Sequence, residues 1–392
     1  MRPQHLPTRT DLPTMLMHWG LVIALLLSVS TGWRIASMTD SSALLRWVDA
    51  LLLQGNVLRW HFMSAAVLTA LVVAYIVFLW RMDLGGRLTL RLASLKSHDR
   101  ATRWQAINKL IYWIAFALLA GAAVTGVLMY FLPGLLPTDP LVTVHQWLSW
   151  GFVVYMGLHV MAQVIMGGVR QLLKIVTPRA AYGLGAAFAL VAGLGGAAFA
   201  YVLDSSSQPV LTFVKTSALP VLDGDGNDVA WKQAPESVVH TARGFNLDGG
   251  EVDVHIRALH DGTRAYLLFR WQDATRSQKH IPLQKTAGGW KLLHTNYYNN
   301  DENEYYEDKF AVMIAQSPIA GGNTVRLGSK PFADKPGPSN GLGLHAATDG
   351  SLADVWHWKS VRSGAINQFD DNYFGQLMDV KPGRYTGGYT QD

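Results

Sequence analysis

Five apolar runs, each of about 20 residues or more, constrain this chain more than any other feature. At a rise of 1.5 Å per residue, a helix needs roughly 20 residues to cross the hydrocarbon core of a bilayer. The runs fall at about 15–38, 59–80, 108–131, 142–166 and 182–203. Hydrocarbon offers no partner to a backbone N–H or C=O, so each run must satisfy its own backbone as a helix. All five lie in the first 203 of 392 residues. A segment at 44–53 (LLRWVDALLL) is too short and too polar to span and reads as a surface helix between the first two spans. The first run is followed by further spans and shows no small-residue cleavage site, so it reads as a membrane helix rather than a leader.

Charge divides the chain at the same point. Residues 1–203 carry 15 Lys/Arg against 6 Asp/Glu, and residues 204–392 carry 18 against 22. The positive charge clusters in two loops, at Arg81, Arg87, Arg91, Lys96, Arg100 and Arg103, and at Arg170, Lys174 and Arg179. Positive loops stay on the cytoplasmic side. The expectation is therefore a bacterial inner-membrane protein with a cytoplasmic N-terminus and residues 204–392 in the periplasm. No basic, aromatic-interleaved surface argues for nucleic acid. With no cysteine, disulfides, iron–sulfur clusters, thiolate zinc and covalent haem attachment are excluded.

Four histidines lie in or at the ends of the spans: His18, His61, His145 and His159. Ionisable residues at membrane depth are rare and tend to be functional. His145 and His159 are 14 residues apart on one helix. Fourteen steps of about 100° return nearly to the same face, with a rise of about 21 Å. One helix thus presents an imidazole near each membrane surface. His18 begins span one at the inner end and His61 begins span two at the outer end, which pairs His18 with His159 and His61 with His145. Two bis-imidazole sites stacked across a bilayer suit two haem b groups. Zinc fits less well, because it takes three or four ligands at one depth. Gly20, Gly32, Gly121, Gly126, Gly151 and Gly157 offer space for flat macrocycles, or simply close helix packing.

With His18-Trp19, Arg59-Trp60-His61 and the His145/His159 pair in place, residues 1–203 resemble the di-haem cytochrome b membrane subunits of nickel–iron hydrogenases and formate dehydrogenases. The resemblance implies a four-helix di-haem core with ligands from the first, second and fourth helices. It also implies a quinone site near one haem, for which Asn108 and Gln163 are the polar candidates.

Residues 204–392 read as a separate, mostly β domain, a sandwich or barrel. Alternating strands are expected at 251–258 and 265–271, joined by a His-Asp-Gly turn at 260–262. Further strands are expected at 288–294 and 309–315, with loops at 318–343 and 381–389. The acidic stretch 301–308 reads as a solvated loop. Leu222-Asp223-Gly224, Ala230-Trp231, Tyr266–Asp273, Tyr305–Lys309 and Asp354–Arg362 carry a resemblance, over about 216–380, to the haem-binding subunit of ethylbenzene dehydrogenase. That resemblance implies a β-sandwich with one haem b, ligated by Met, Lys or His. His280, and His345 in a glycine-rich loop, are the chosen pair; Met313, His294, His357, Met378 and Lys381 stand in reserve. His255 alternates within a strand and reads as a core-facing or surface residue.

No nucleophile elbow or phosphate loop is present. The expected function is electron transfer between the quinone pool and a periplasmic redox protein, such as a c-type cytochrome or an oxidoreductase subunit. It would run through two membrane haem b groups and a third in the outer domain, with quinol oxidation the favoured direction. The alternatives are a membrane-anchored ligand-binding or sensing protein, and an electron-transfer subunit of a larger oxidoreductase with no activity of its own.

Overall fold

The computed structural model describes residues 10–37, 48, 51–53, 56–242, 244, 247–279, 282–293, 297–298, 301–302, 307–316, 324–326, 345–347, 353–374 and 389–391. The chain divides into two compact units, residues 1–33 with 58–207, and residues 34–57 with 208–392.

Five helices are long and apolar enough to span a membrane: α1 Leu12–Ser37, α2 Val57–Arg81, α3 Arg100–Phe131, α4 Thr138–Leu173 and α5 Gly183–Ser207. Two of them, α3 and α4, extend seven or eight residues past the apolar stretches that mark them. The start of α3 is eight residues ahead of the expected 108, because Asp99 accepts from Thr102 N at 2.9 Å and caps an otherwise polar first turn. The continuation of α4 to Leu173 crosses a break at Gly167 and Gly168. Gly168 has φ +60°, which a side chain would strain, so the glycine pair sets the kink. Most of the 44–53 segment lies outside the described residues.

The bundle is tied at both ends. At the end where α1 begins, β1 (Thr10–Asp11) pairs in parallel with β2 (Pro178–Arg179). There Asp11 accepts from Thr14 N at 3.0 Å and from Arg87 at 2.9 Å. Trp19 donates its indole N–H to the Ile175 carbonyl at 3.0 Å. At the other end Asp204, 4 % exposed near the close of α5, accepts from Arg59 of α2 at 2.7 Å and from the Tyr130 hydroxyl of α3. Both ends therefore use a charged or polar cross-link where the helices leave the apolar zone.

In the second unit, β5 (Val252–His260) is central. It pairs with β6 (Ala265–Arg270) on one edge. The other edge is shared, antiparallel by β4 (Ser237–Thr241) and parallel by β3 (Phe213–Lys215). The hairpin turns at Asp261–Arg264, one residue later than expected. There Asp261 accepts from Thr263 N at 2.7 Å, Arg264 N at 2.8 Å and the Tyr266 hydroxyl at 2.9 Å. The Thr263 backbone bond leads the contacts that hold its carboxyl far below the usual range. Strand β7 (Leu283–Thr286) pairs with β8 (Gly289–Leu292), and β9 (Tyr297–Tyr298) with β10 (Asp301–Glu302).

A second sheet runs β11 (Lys309–Ala315), β14 (Ala353–Lys359), β15 (Asp370–Phe374), β16 (Tyr389–Gln391), all antiparallel. Between them in sequence, β12 (Thr324–Arg326) pairs with β13 (His345–Ala347). A strand thus falls inside the 318–343 stretch read as loop, because three residues of Thr-Val-Arg suffice to pair despite flanking Gly and Pro. The two four-stranded sheets meet through aromatic rings. Phe310 lies 4.9 Å from Phe269 and stacks on Trp271 at 4.9 Å, and Trp271 meets Trp358 at 6.3 Å. A smaller core gathers Ala230, Trp231, Ala234, Leu259 and Tyr266.

The acidic stretch at 301–308 is not wholly solvated. Glu307, 3 % exposed, accepts from Val361 N at 2.6 Å and Arg362 N at 3.0 Å, and pairs with the Arg362 guanidinium. Burial would raise its carboxyl, but these donors outweigh it and hold it below the ordinary range. Asp308 N bonds the Ser277 carbonyl at 3.0 Å and Ser360 N bonds the Asp308 carbonyl at 2.9 Å, so Glu307 and Asp308 staple the segment after β14 at a corner of the second sheet.

Candidate haem-binding sites

The helix spacing that separates His145 from His159 on α4 brings each beside a histidine of another helix. His159 faces His18 of α1 with ring centroids 6.2 Å apart, and His145 faces His61 of α2 at 6.1 Å. These separations can be tested against iron. A metal–imidazole bond is about 2.0–2.1 Å and the nitrogen sits about 1.1 Å from its ring centroid, so one metal clamped between two imidazoles sets the centroids about 6.3 Å apart. Both pairs lie within about 0.2 Å of that figure. Among the described residues, no three of His, Cys, Asp and Glu converge on one point. Two imidazoles alone leave a zinc-type site short of ligands, and they suit a group that brings its own equatorial nitrogens.

The far side of each ring differs between the pairs. His61 Nδ1 lies 2.9 Å from the Ser28 carbonyl and 3.1 Å from Thr31 Oγ1. His145 Nδ1 lies 2.8 Å from Thr125 Oγ1. The Nδ1 atoms of His18 and His159 are buried and make no hydrogen bond. The glycines also separate. A Cβ on Gly32 would sit 3.1 Å from the His61 ring, and one on Gly126 3.7 Å from the His145 ring. On Gly20, Gly121 and Gly151 it would instead press on Leu71, Leu148 and Leu118, so these three serve helix packing. Nothing lies within 4 Å of the Gly157 position.

Beside His159 the bundle holds a chain of polar side chains. Gln171 donates to Gln163 at 3.1 Å, Gln163 to Asn108 at 2.7 Å, and Asn108 to the Tyr112 hydroxyl at 2.7 Å. The rings of Tyr112 and Tyr155 stand 5.5 and 5.7 Å from that of His159. The kink at Gly167-Gly168 turns Gln171 back toward Gln163. Asn108 and Gln163, two separate candidates in sequence, are thus directly bonded neighbours.

Residues 9–178 match the family model of prokaryotic cytochrome b561. Residues 228–392 match the family model of ethylbenzene dehydrogenase. No curated protein and no solved structure matches the chain. The cytochrome b561 match covers α1 to α4 and all four membrane histidines, and it implies a membrane haem b electron-transfer protein. With five apolar helices it makes the chain a multi-pass membrane protein. Both matches agree with the resemblances carried by His18-Trp19, the His145/His159 pair and the Asp354–Arg362 motif.

Sequence reasoning missed Thr31 and Thr125. The signal was a Thr-Gly dipeptide in each of two apolar helices, at Thr31-Gly32 and Thr125-Gly126. It also missed Tyr112 and Gln171, which follow Asn108 and Gln163 by one and two helical turns.

In the ethylbenzene dehydrogenase-like unit, His280 lies outside the described residues, as do His294, Met378 and Lys381. His345 opens β13, and its side chain also lies outside what is described. His357 and Met313 occupy one face of the second sheet, since Ala311 pairs with His357 and Met313 with Val355. Burial, aided by Lys359 and Lys309, pushes the His357 imidazole down to about 4. His255 is tied to Glu236 at 2.9 Å on an exposed strand face.

Proposed function

We propose that the chain carries electrons between a membrane quinone pool and a redox protein outside the cytoplasm, with His18 and His159 holding one haem b and His61 and His145 another. The pairing of the four imidazoles at iron-spanning separation carries this reading. Each haem would supply one-electron Fe(III)/Fe(II) chemistry when bound. The helices fix the two pairs at different depths, so that neither site depends on side chains of the other. Leu71, Leu148 and Leu118 pack against Gly20, Gly121 and Gly151 and bring the helices that carry the histidines close together.

The Gln171–Gln163–Asn108–Tyr112 chain is the proposed quinone site. Quinone reduction and quinol oxidation each require donors and acceptors at two oxygens, and amides and a phenol supply both. Such groups are costly at membrane depth unless they are partnered, and here they satisfy one another. Asn108 is buried, 8 % exposed, and its amide joins Gln163 to the Tyr112 hydroxyl, so donors and an acceptor lie together beside His159.

For residues 204–392 the reading is a periplasmic domain with a third haem b, for which His280 and His345 are the proposed ligands. It rests on the likeness to ethylbenzene dehydrogenase and on the absence of cysteine.

The test is addition of a short-chain quinol to membranes containing the oxidised protein. The reading predicts reduction of b-type haem, reversed by oxidised quinone. Haem that binds but never responds to either would remove the quinone role.

A further inference from the structure

The two histidine pairs are built alike toward each other and differently behind. Thr31, fully buried, donates its hydroxyl proton to the Leu27 carbonyl at 2.7 Å. Thr125, 8 % exposed, donates to the Gly121 carbonyl at 2.9 Å. A hydroxyl has one proton, so each threonine then presents only a lone pair to the imidazole beside it. The Ser28 carbonyl, also facing His61, can only accept. The Nδ1 of His61 and of His145 must therefore be the donor, which leaves Nε2 with its lone pair for a metal. Gly32 and Gly126, each next in sequence to its threonine, leave room for the ring to reach that lone pair. The same Thr-Gly device thus stands on α1 for His61 and on α3 for His145. His18 and His159 have no counterpart, for their Nδ1 atoms are buried and unbonded.

A ligand imidazole that donates from its other nitrogen is more basic toward the metal. A more basic ligand pair favours the ferric state and lowers the reduction potential, since second-shell hydrogen bonds are among the levers that set haem potential. We propose that Thr31 and Thr125 are positioning residues that hold the His61–His145 iron at a lower potential than the His18–His159 iron. This rests on the reading that each pair binds one haem. An electron shared between the two sites then favours the His18–His159 end, where the polar chain of Asn108 and Gln163 lies.

The test is a redox titration of the full-length protein, followed optically, with haem content measured in parallel. The midpoint lost in His61→Ala marks one iron and that lost in His159→Ala the other. In the wild type the first is expected to be the lower. Thr125→Val should raise it and leave the other in place with haem content unchanged, and Thr125→Ser should restore it. Two haems bound with neither midpoint moved, or with the wrong one moved, overturns the proposal and leaves the haem reading standing. No haem in the wild type sinks both. If Thr125→Val fails to bind haem, the wild-type order decides, and a His61–His145 midpoint at or above the other overturns the proposal.

Discussion

Gln163 of α4 donates a 2.7 Å hydrogen bond to Asn108 of α3, one helical turn past His159 on its own helix. If this bond marks the quinone site, Asn108→Leu or Gln163→Leu removes a polar contact to substrate worth about 1–2 kcal/mol, or roughly tenfold. Quinol-dependent haem reduction, followed in a stopped-flow spectrometer, should slow by about that factor while haem content holds. An unaltered rate in both variants places the quinone elsewhere.

Gly32 and Gly126 differ in how closely they meet their rings, by 3.1 against 3.7 Å for an added Cβ. The shorter distance forces the His61 ring to move, and the longer is ordinary contact. Gly32→Ala is expected to weaken retention of one haem of the two, whereas Gly126→Ala should keep both. Haem-to-protein ratios after detergent purification make the comparison, and equal behaviour of the two variants contradicts the cradle.

Asp204 is buried between Arg59 and Tyr130 and links α5 to α2 and α3. Replacing it by Ala removes both of these hydrogen bonds, at a cost of about 2–3 kcal/mol. Thermal unfolding in detergent should begin several degrees lower. A matching loss is not expected from Asp139, an exposed residue in the first turn of α4.

The second unit should lose stability in acid in two steps. His357 is pushed down to about 4 from an ordinary value near 6.5. The unfolded chain therefore binds its proton first, and stability falls as pH drops from about 6.5 to about 4. Glu307 has a depressed carboxyl. Its contribution is complete above the ordinary glutamate value of about 4.3 and is lost below that, as pH falls through the folded value. His357→Gln should flatten the upper step and leave the lower one. Tryptophan fluorescence during denaturant unfolding at a series of pH values reads both.

The membrane unit was legible because a bilayer imposes its own ruler. Apolar length marked five helices, and a 14-residue interval on one of them placed His145 and His159 on a common face. What escaped was whatever lay behind the histidines. Thr31 and Thr125 look like ordinary helix residues until a ring from another helix meets them, and Gln171 reaches Gln163 only because Gly168 adopts φ +60°. In the second unit, alternation marked β5, β6 and β11. The burial of Glu307 depends on Val361 and Arg362, more than fifty residues away, and no local pattern carries a contact of that range. Six glycines looked equivalent in sequence, yet only two face histidine.

The account stands or falls on whether the four histidines bind as two couples. Haem b per chain, measured by the pyridine haemochrome in the wild type, in four single His→Ala variants and in their double combinations, decides it. Each single variant should lose one haem; the doubles His18→Ala/His159→Ala and His61→Ala/His145→Ala should lose no more than one, and doubles that mix the couples should lose two. Full haem content in any of the four variants, or losses that cross the couples, would contradict the arrangement.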